Sequence, residues 1–180
     1  MKIEYLRYQN FLSVGDTSVE VDFTKLGPVT LIKGQNFDFH DKNDHELEFS
    51  TEEDEHHSNG AGKSTCAEAI VYGFYGSTIR KRMSHTDIIN STNKKKLEVE
   101  VIFSINNTRY RILRTRKPDT LRLWEGGDSW TDENEITKGG QPATQKHIES
   151  IIKMNHKAFV NIVCFGQHND YNFLECKPED

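Results

Sequence analysis

An α/β fold is predicted by three features of the sequence. Apolar and polar residues alternate in its first third and again after position 96, a glycine-rich turn ends in Lys63-Ser64-Thr65, and a helical run follows that turn. Strand signals cover Lys2 to Tyr8, Ser18 to Phe23 and Val29 to Lys33, with Gly15-Asp16 and Gly27-Pro28 as turns. These three runs predict an antiparallel β-meander at the start of the chain.

The turn Asn59-Gly60-Ala61-Gly62-Lys63-Ser64-Thr65 has the residue types that hold nucleotide phosphates. Glycines let backbone N–H groups turn toward a β-phosphate, the lysine supplies a cation for the β- and γ-phosphates, and the first hydroxyl can ligand Mg2+. The pattern needs another glycine five residues before Gly62, and position 57 is a histidine. The missing half stands upstream, where Pro28 to Lys33 delivers Gly34-Gln35-Asn36. Joining that tripeptide to Gly60 gives GQNGAGKST, a complete phosphate loop between a strand and the helical run Cys66 to Tyr75. Residues 37–59 are then a 23-residue insertion within the loop, and 36–58 fits equally well because Asn36 and Asn59 are interchangeable at the join. The expected nucleotide contacts are Gly34, Asn36, Asn59, Gly60, Ala61, Gly62, Lys63, Ser64 and Thr65, with ATP and Mg2+ as cofactors.

Beyond the loop helix, Leu97 to Ile105 alternates strictly, Asn106-Asn107 makes a turn, and Arg109 to Arg114 alternates again. Thr120 to Trp124 supplies a third strand before the turn at Gly126-Gly127-Asp128. A helix follows Gly139-Gly140-Gln141-Pro142, where proline suits the first turn and Ile148, Ile151 and Ile152 give one apolar face. Another begins near Asn155, an N-cap residue type, and runs through Phe159 and Ile162.

With 180 residues the chain fits one domain, and 34% hydrophobic with 28% charged residues suits a soluble protein. No segment reads as membrane-spanning, and the start lacks the apolar run of a signal peptide, so a cytoplasmic setting is expected. Cys66, Cys164 and Cys176 are odd in number and without C-x-x-C spacing, which argues for reduced thiols rather than disulfides or zinc.

The insertion carries nine acids and one lysine, and removing its −8 from the total of −5 leaves +3 on the rest. Such composition reads as a solvated loop. Its carboxylates could also oppose a triphosphate, and His40, His45, His56 and His57 could bind a divalent metal, though their spacing matches no standard site. Basic runs at Arg80-Lys81-Arg82, Lys94-Lys95-Lys96 and Arg109 to Lys117 could meet a polyanion.

Four blocks in order give a more specific reading. They are Tyr8-Gln9-Asn10-Phe11-Leu12-Ser13, the split GQN and NGAGKST, Ile88 to Lys95, and Phe165-Gly166-Gln167 followed by Phe173 to Pro178. Together they resemble the N-terminal lobe of the ABC-type, SMC-like ATPases of DNA double-strand-break repair and recombination, the SbcC-type subunits and their counterparts in tailed phages. The resemblance implies a P-loop NTPase whose lobe, residues 1–180 with insertion 37–59, has an antiparallel meander and a central P-loop helix.

It further implies that Asn10 and Ser13 lie near the nucleotide, that Phe11 packs, and that Gln167 joins Ser64 at the metal. An amide suits Gln167's place because its carbonyl oxygen can ligand Mg2+ without adding charge. The family often shows Gln-Gly-Gln where this chain has Phe165-Gly166-Gln167. No apolar run ends in Asp-Glu, so no catalytic base is expected in these residues. Hydrolysis would need a C-terminal ATPase lobe and a second head in a dimer, with an SbcD-like nuclease subunit and DNA as further partners. The setting would be the host cytoplasm if the chain is phage-encoded. Two alternatives stand beside this reading, a RecF-like P-loop DNA ATPase without a coiled coil, and a non-enzymatic fragment that only binds a partner.

Overall fold

The computed structural model describes residues 1–34, 62–80, 83–84, 86–127 and 129–164. Five strands form one antiparallel sheet, in spatial order β2-β1-β3-β4-β5. They are β1 (Lys2–Gln9), β2 (Val19–Asp22), β3 (Leu97–Ile105), β4 (Thr108–Arg116) and β5 (Thr120–Glu125). Three helices complete the described fold: α1 (Lys63–Tyr75), α2 (Gln141–Ile152) and α3 (His156–Ile162). An α/β fold with an antiparallel sheet, as the sequence predicts, is what forms.

Period-two patterning sets the faces of the sheet. Leu6, Tyr8, Val99, Val101, Phe103 and Ile112 turn inward and are buried. Asn106 and Asn107, with φ of 49° and 65°, turn β3 into β4 as an Asn-Asn pair can. Helix α1 lies on the inner face, and it can approach closely because position 73 has no side chain: a Cβ on Gly73 would stand 2.4 Å from Val101 Cγ2. The core is strongly aromatic. Phe74 meets Phe103 at 5.1 Å and Phe159 at 5.5 Å between centroids, and Phe11 meets Tyr72 at 5.4 Å.

The helix ends follow their sequence signals. Gly76 takes φ 68° and donates its N–H to Tyr72 O at 2.7 Å, closing α1. Pro142 stands in the first turn of α2, whose Ile148 and Ile152 are buried. Asn155 caps α3, its side chain accepting from Ala158 N.

One element departs from the sequence reading. Val29 to Lys33 forms no strand, and Val29 and Leu31 are 92% and 79% exposed. A strand persists only where a neighbour satisfies its backbone groups, and among the described residues none runs beside this segment. Apolar patterning without a partner therefore leaves an irregular, exposed chain.

The outer face of the sheet is a lattice of opposed charges. Arg7 pairs with Glu98 and with Glu20, Arg109 with Glu4, Arg111 with Glu100, and Arg122 with Glu135 and Asp132. Trp124 lies between Arg111 and Arg122, each guanidinium 4.7 Å from its ring centroid. Within the arginine run that reads as a polyanion patch in the sequence, Arg109 and Arg111 are thus matched by carboxylates across the strands.

Candidate functional site: the start of helix α1

Gly62 has φ 80° and ψ 11°, a left-handed backbone that glycine adopts without penalty, and helix α1 begins at the next residue, Lys63. Thr65 N–H donates to Gly62 O at 3.0 Å, so the turn runs directly into the helix. The positive dipole end of a 13-residue helix therefore stands at Lys63. Ser64 is exposed and Thr65 is buried.

The loop from Asn10 to Gly15 reaches the same place. A Cβ built on Gly62 would stand 4.0 Å from Ser13 Oγ and 3.8 Å from Thr65 Oγ1. Ser13 is exposed, whereas Asn10 is only 1% exposed and its side chain is engaged on both ends. Asn10 Nδ2 donates to Lys96 O at 3.2 Å and Oδ1 accepts from Asn93 Nδ2 at 2.6 Å. Asn90 completes the clasp, donating to Leu12 O at 3.1 Å and accepting from the N–H groups of Thr92 and Asn93. Asn10 and Leu12, both at φ 51°, are held in the left-handed region by these bonds. Thus Ile88 to Lys95, a block that the sequence reading left without a role, buttresses the loop that carries Ser13.

Beside Gly62 lies a hollow of about 700 Å³. Val19, Val21 and Phe23 with Tyr8 line it with apolar surface, and Ser13, Gly62, Lys63 and Lys33 are also among its lining residues. Cys66 also lines it, and burial pushes that thiol up, so it remains a protonated, unreactive group at neutral pH. Burial, with Cys66 as a lesser cause, likewise pushes the Tyr8 phenol up to about 12. With a mostly apolar lining that also includes two lysines, the hollow suits a ligand with a flat apolar body and an anionic tail, which is the chemistry of a nucleotide.

On the next turn of α1, one turn beyond Ser64, stands Glu68. It is 3% exposed, accepts Ile79 N–H at 2.6 Å and pairs with Arg80 Nε at 3.2 Å. Burial raises its carboxyl above the usual range, against the opposing pull of Ile79 N–H and Arg80. At the far end of the helix, Arg114 of β4 donates to Gly73 O at 3.3 Å and Phe74 O at 3.4 Å. Cations at a helix C-terminus complement its dipole, so α1 is secured at its rear.

Of the residues expected at the site, Ser13, Gly62, Lys63, Ser64 and Thr65 are brought together. Gly34 follows Lys33, a lining residue of the hollow, and is not itself among the lining residues. Asn10 stands beneath the loop rather than on its surface. Asn36, Asn59, Gly60, Ala61, Gln167 and the insertion lie outside the described residues, as does Cys176. The sequence reading passed over Lys33 and Cys66 as site-lining residues. Lys33 carried one signal, its place immediately before Gly34.

Among the described residues, no helix is long and apolar enough to cross a membrane. A family model described as AAA domain matches residues 5–180. Exonuclease subunit 2 of Escherichia phage RB69 is 32% identical over 165 residues, which is 92% of this chain and 24% of that protein. Its namesake from Enterobacteria phage T4 is 30% identical over the same shares. The DNA double-strand break repair Rad50 ATPase of Sulfolobus acidocaldarius is 27% identical over 183 residues, 99% of this chain and 17% of that protein. The chain therefore spans about a quarter or less of the length of these relatives.

Proposed function

This chain belongs to the AAA domain family, and from that premise we propose that it is the N-terminal, ATP-binding lobe of an SbcC-type recombination and repair ATPase that regulates a partner nuclease acting on DNA ends. The observation that carries the ATP site is Gly62 in its left-handed turn, opening α1 at Lys63 beside a hollow lined by apolar residues together with Lys33 and Lys63.

In this reading Gly34, Asn36, Asn59, Gly60, Ala61 and Gly62 close a split P-loop around the phosphates. The Lys63 amine neutralises the β- and γ-phosphates, and N–H groups through Thr65 donate to their oxygens at the positive end of α1. Ser64 and Gln167 hold Mg2+, which when bound draws negative charge from the phosphates undergoing transfer. Ser13 reaches the nucleotide from the Asn10 loop, and Asn10 acts through the loop it holds. The Val19, Val21 and Phe23 wall receives the apolar body of the nucleoside.

Phosphoryl transfer depends on positioning and charge stabilisation from every side of the γ-phosphate. A C-terminal lobe and a second ATPase head would supply the sides that the described residues do not. An SbcD-like nuclease and DNA would then be the assembly's partner and substrate, in the cytoplasm. The test is Mg-ATP titration of the intact protein, comparing wild type with Lys63→Ala. Saturable binding that Lys63→Ala weakens at least tenfold, a loss of about 1.4 kcal/mol, is expected. Equal affinity for both proteins, or no binding to wild type, overturns the reading.

A further inference from the structure

We propose that Lys33 is a second cationic contact for the outer phosphates of the nucleotide, acting beside Lys63. The inference rests on the nucleotide site proposed above and extends it to a residue outside the phosphate-loop pattern.

Lys33 and Lys63 are 30 positions apart in the sequence and line one hollow. The segment leading to Lys33 is oriented by its own side chains. Thr30 and Ile32 also line the hollow, and although the whole segment is exposed, Ile32 at 50% is less so than Val29 at 92% and Leu31 at 79%. Thr30 Oγ1 donates to Gly27 O at 3.2 Å, fixing the start of the segment. Lys33 is exposed, and among the described residues no carboxylate is paired with it. Its charge is therefore available to an incoming anion without first breaking an ion pair.

Two physical arguments favour a phosphate as its partner. The hollow is mostly apolar, and a low-dielectric flank strengthens the field of an amine at its edge relative to open water. The sequence between the two lysines also carries nine carboxylates, and any repulsion they exert on a triphosphate would add to the charge that Lys63, Mg2+ and the start of α1 must offset. A second amine on the same hollow divides that demand. Lysine suits the position, being a point charge on a flexible stem that can follow phosphates without fixed fork geometry.

The test uses the intact protein with Mg2+ and three probes, ATP, ADP and AMP. Lys33→Gln should weaken ATP roughly three- to fivefold, the loss expected when one exposed charge leaves a polyanion. ADP should lose less and AMP should be unchanged. Lys33→Arg should restore ATP binding, and Lys33→Glu should weaken it further than Lys33→Gln. Wild-type-like ATP affinity in Lys33→Gln, alongside a loss in Lys63→Ala, overturns the role of Lys33 and leaves the nucleotide site standing. Equal losses for ATP and AMP also overturn it, because the effect would not then run through the outer phosphates. Wild type that binds no ATP overturns both.

Discussion

Arg114 on β4 donates from Nη2 to Gln145 Oε1 on α2 at 2.6 Å, directly beneath the C-terminal end of α1. Only 8% of this guanidinium-bearing residue is exposed, and no carboxylate answers it among the described contacts. Its partners are the carbonyls of Gly73 and Phe74 and the Gln145 amide, while Gln145 Nε2 donates back to Phe74 O at 3.1 Å. Burial lowers the Arg114 pKa to about 10, so it remains charged at neutral pH. One side chain thus joins the sheet, the site-bearing helix and α2.

Replacing Arg114 by Met should cost about 2 kcal/mol, because helix-end carbonyls and the Gln145 amide would lose a buried charged donor. Urea unfolding would measure it. A loss below about 0.5 kcal/mol, the range of an indifferent surface change, would show that the helix end does not depend on this clamp.

Gly73→Ala sets two effects against each other. Alanine gains roughly 1 kcal/mol of helix propensity over glycine, but its Cβ would stand 2.4 Å from Val101 Cγ2, a contact that requires α1 or the sheet to move. Overpacking of this kind costs about 1–3 kcal/mol, so net destabilisation is expected. The double variant Gly73→Ala with Val101→Ala should be more stable than the sum of the two single losses. Strict additivity would mean that the two residues do not share the space.

Asn10→Ala should release the loop that carries Ser13. Lys96 O and the Asn93 amide would both lose a buried partner, at a cost of about 2 kcal/mol. ATP affinity should fall as well, although Asn10 Nδ2 and Oδ1 are both occupied within the fold. Differential scanning fluorimetry with and without Mg-ATP reads both effects. A destabilised variant that gains as much from ATP as wild type would separate the loop from the nucleotide.

The buried carboxyl of Glu68 makes stability depend on pH. Its folded pKa lies above the ordinary 4.5, so the folded state binds its proton more tightly than the unfolded chain does. The stabilisation from that proton is complete below about 4.5 and is lost as pH rises through the folded value. Glu68→Gln, which stays neutral, should therefore gain relative to wild type as pH rises from 4 toward 8, as melting temperatures would show. A gap that stays constant or narrows over that range would mean that ion pairing with Arg80 outweighs burial.

Much of this protein follows from local pattern. Alternation specified β1 and β3 to β5, Asn106-Asn107 their hairpin, Pro142 and Asn155 the openings of α2 and α3, and the Gly-Lys-Ser-Thr run the start of α1. These signals are legible because strand period, turn conformation and helix capping depend on residues within a few positions of one another. Tertiary structure decided the rest. Val29 to Lys33 has the composition of a strand and no described partner to make it one, and Arg109, Arg111 and Arg122 are matched by acids elsewhere in the chain. Asn10 carries the signal of a turn residue, yet only the arrival of Asn90, Asn93 and Lys96 makes it a buried keystone of the site. Backbone pairing and charge neutralisation depend on which groups stand opposite in space, and sequence spacing does not record that.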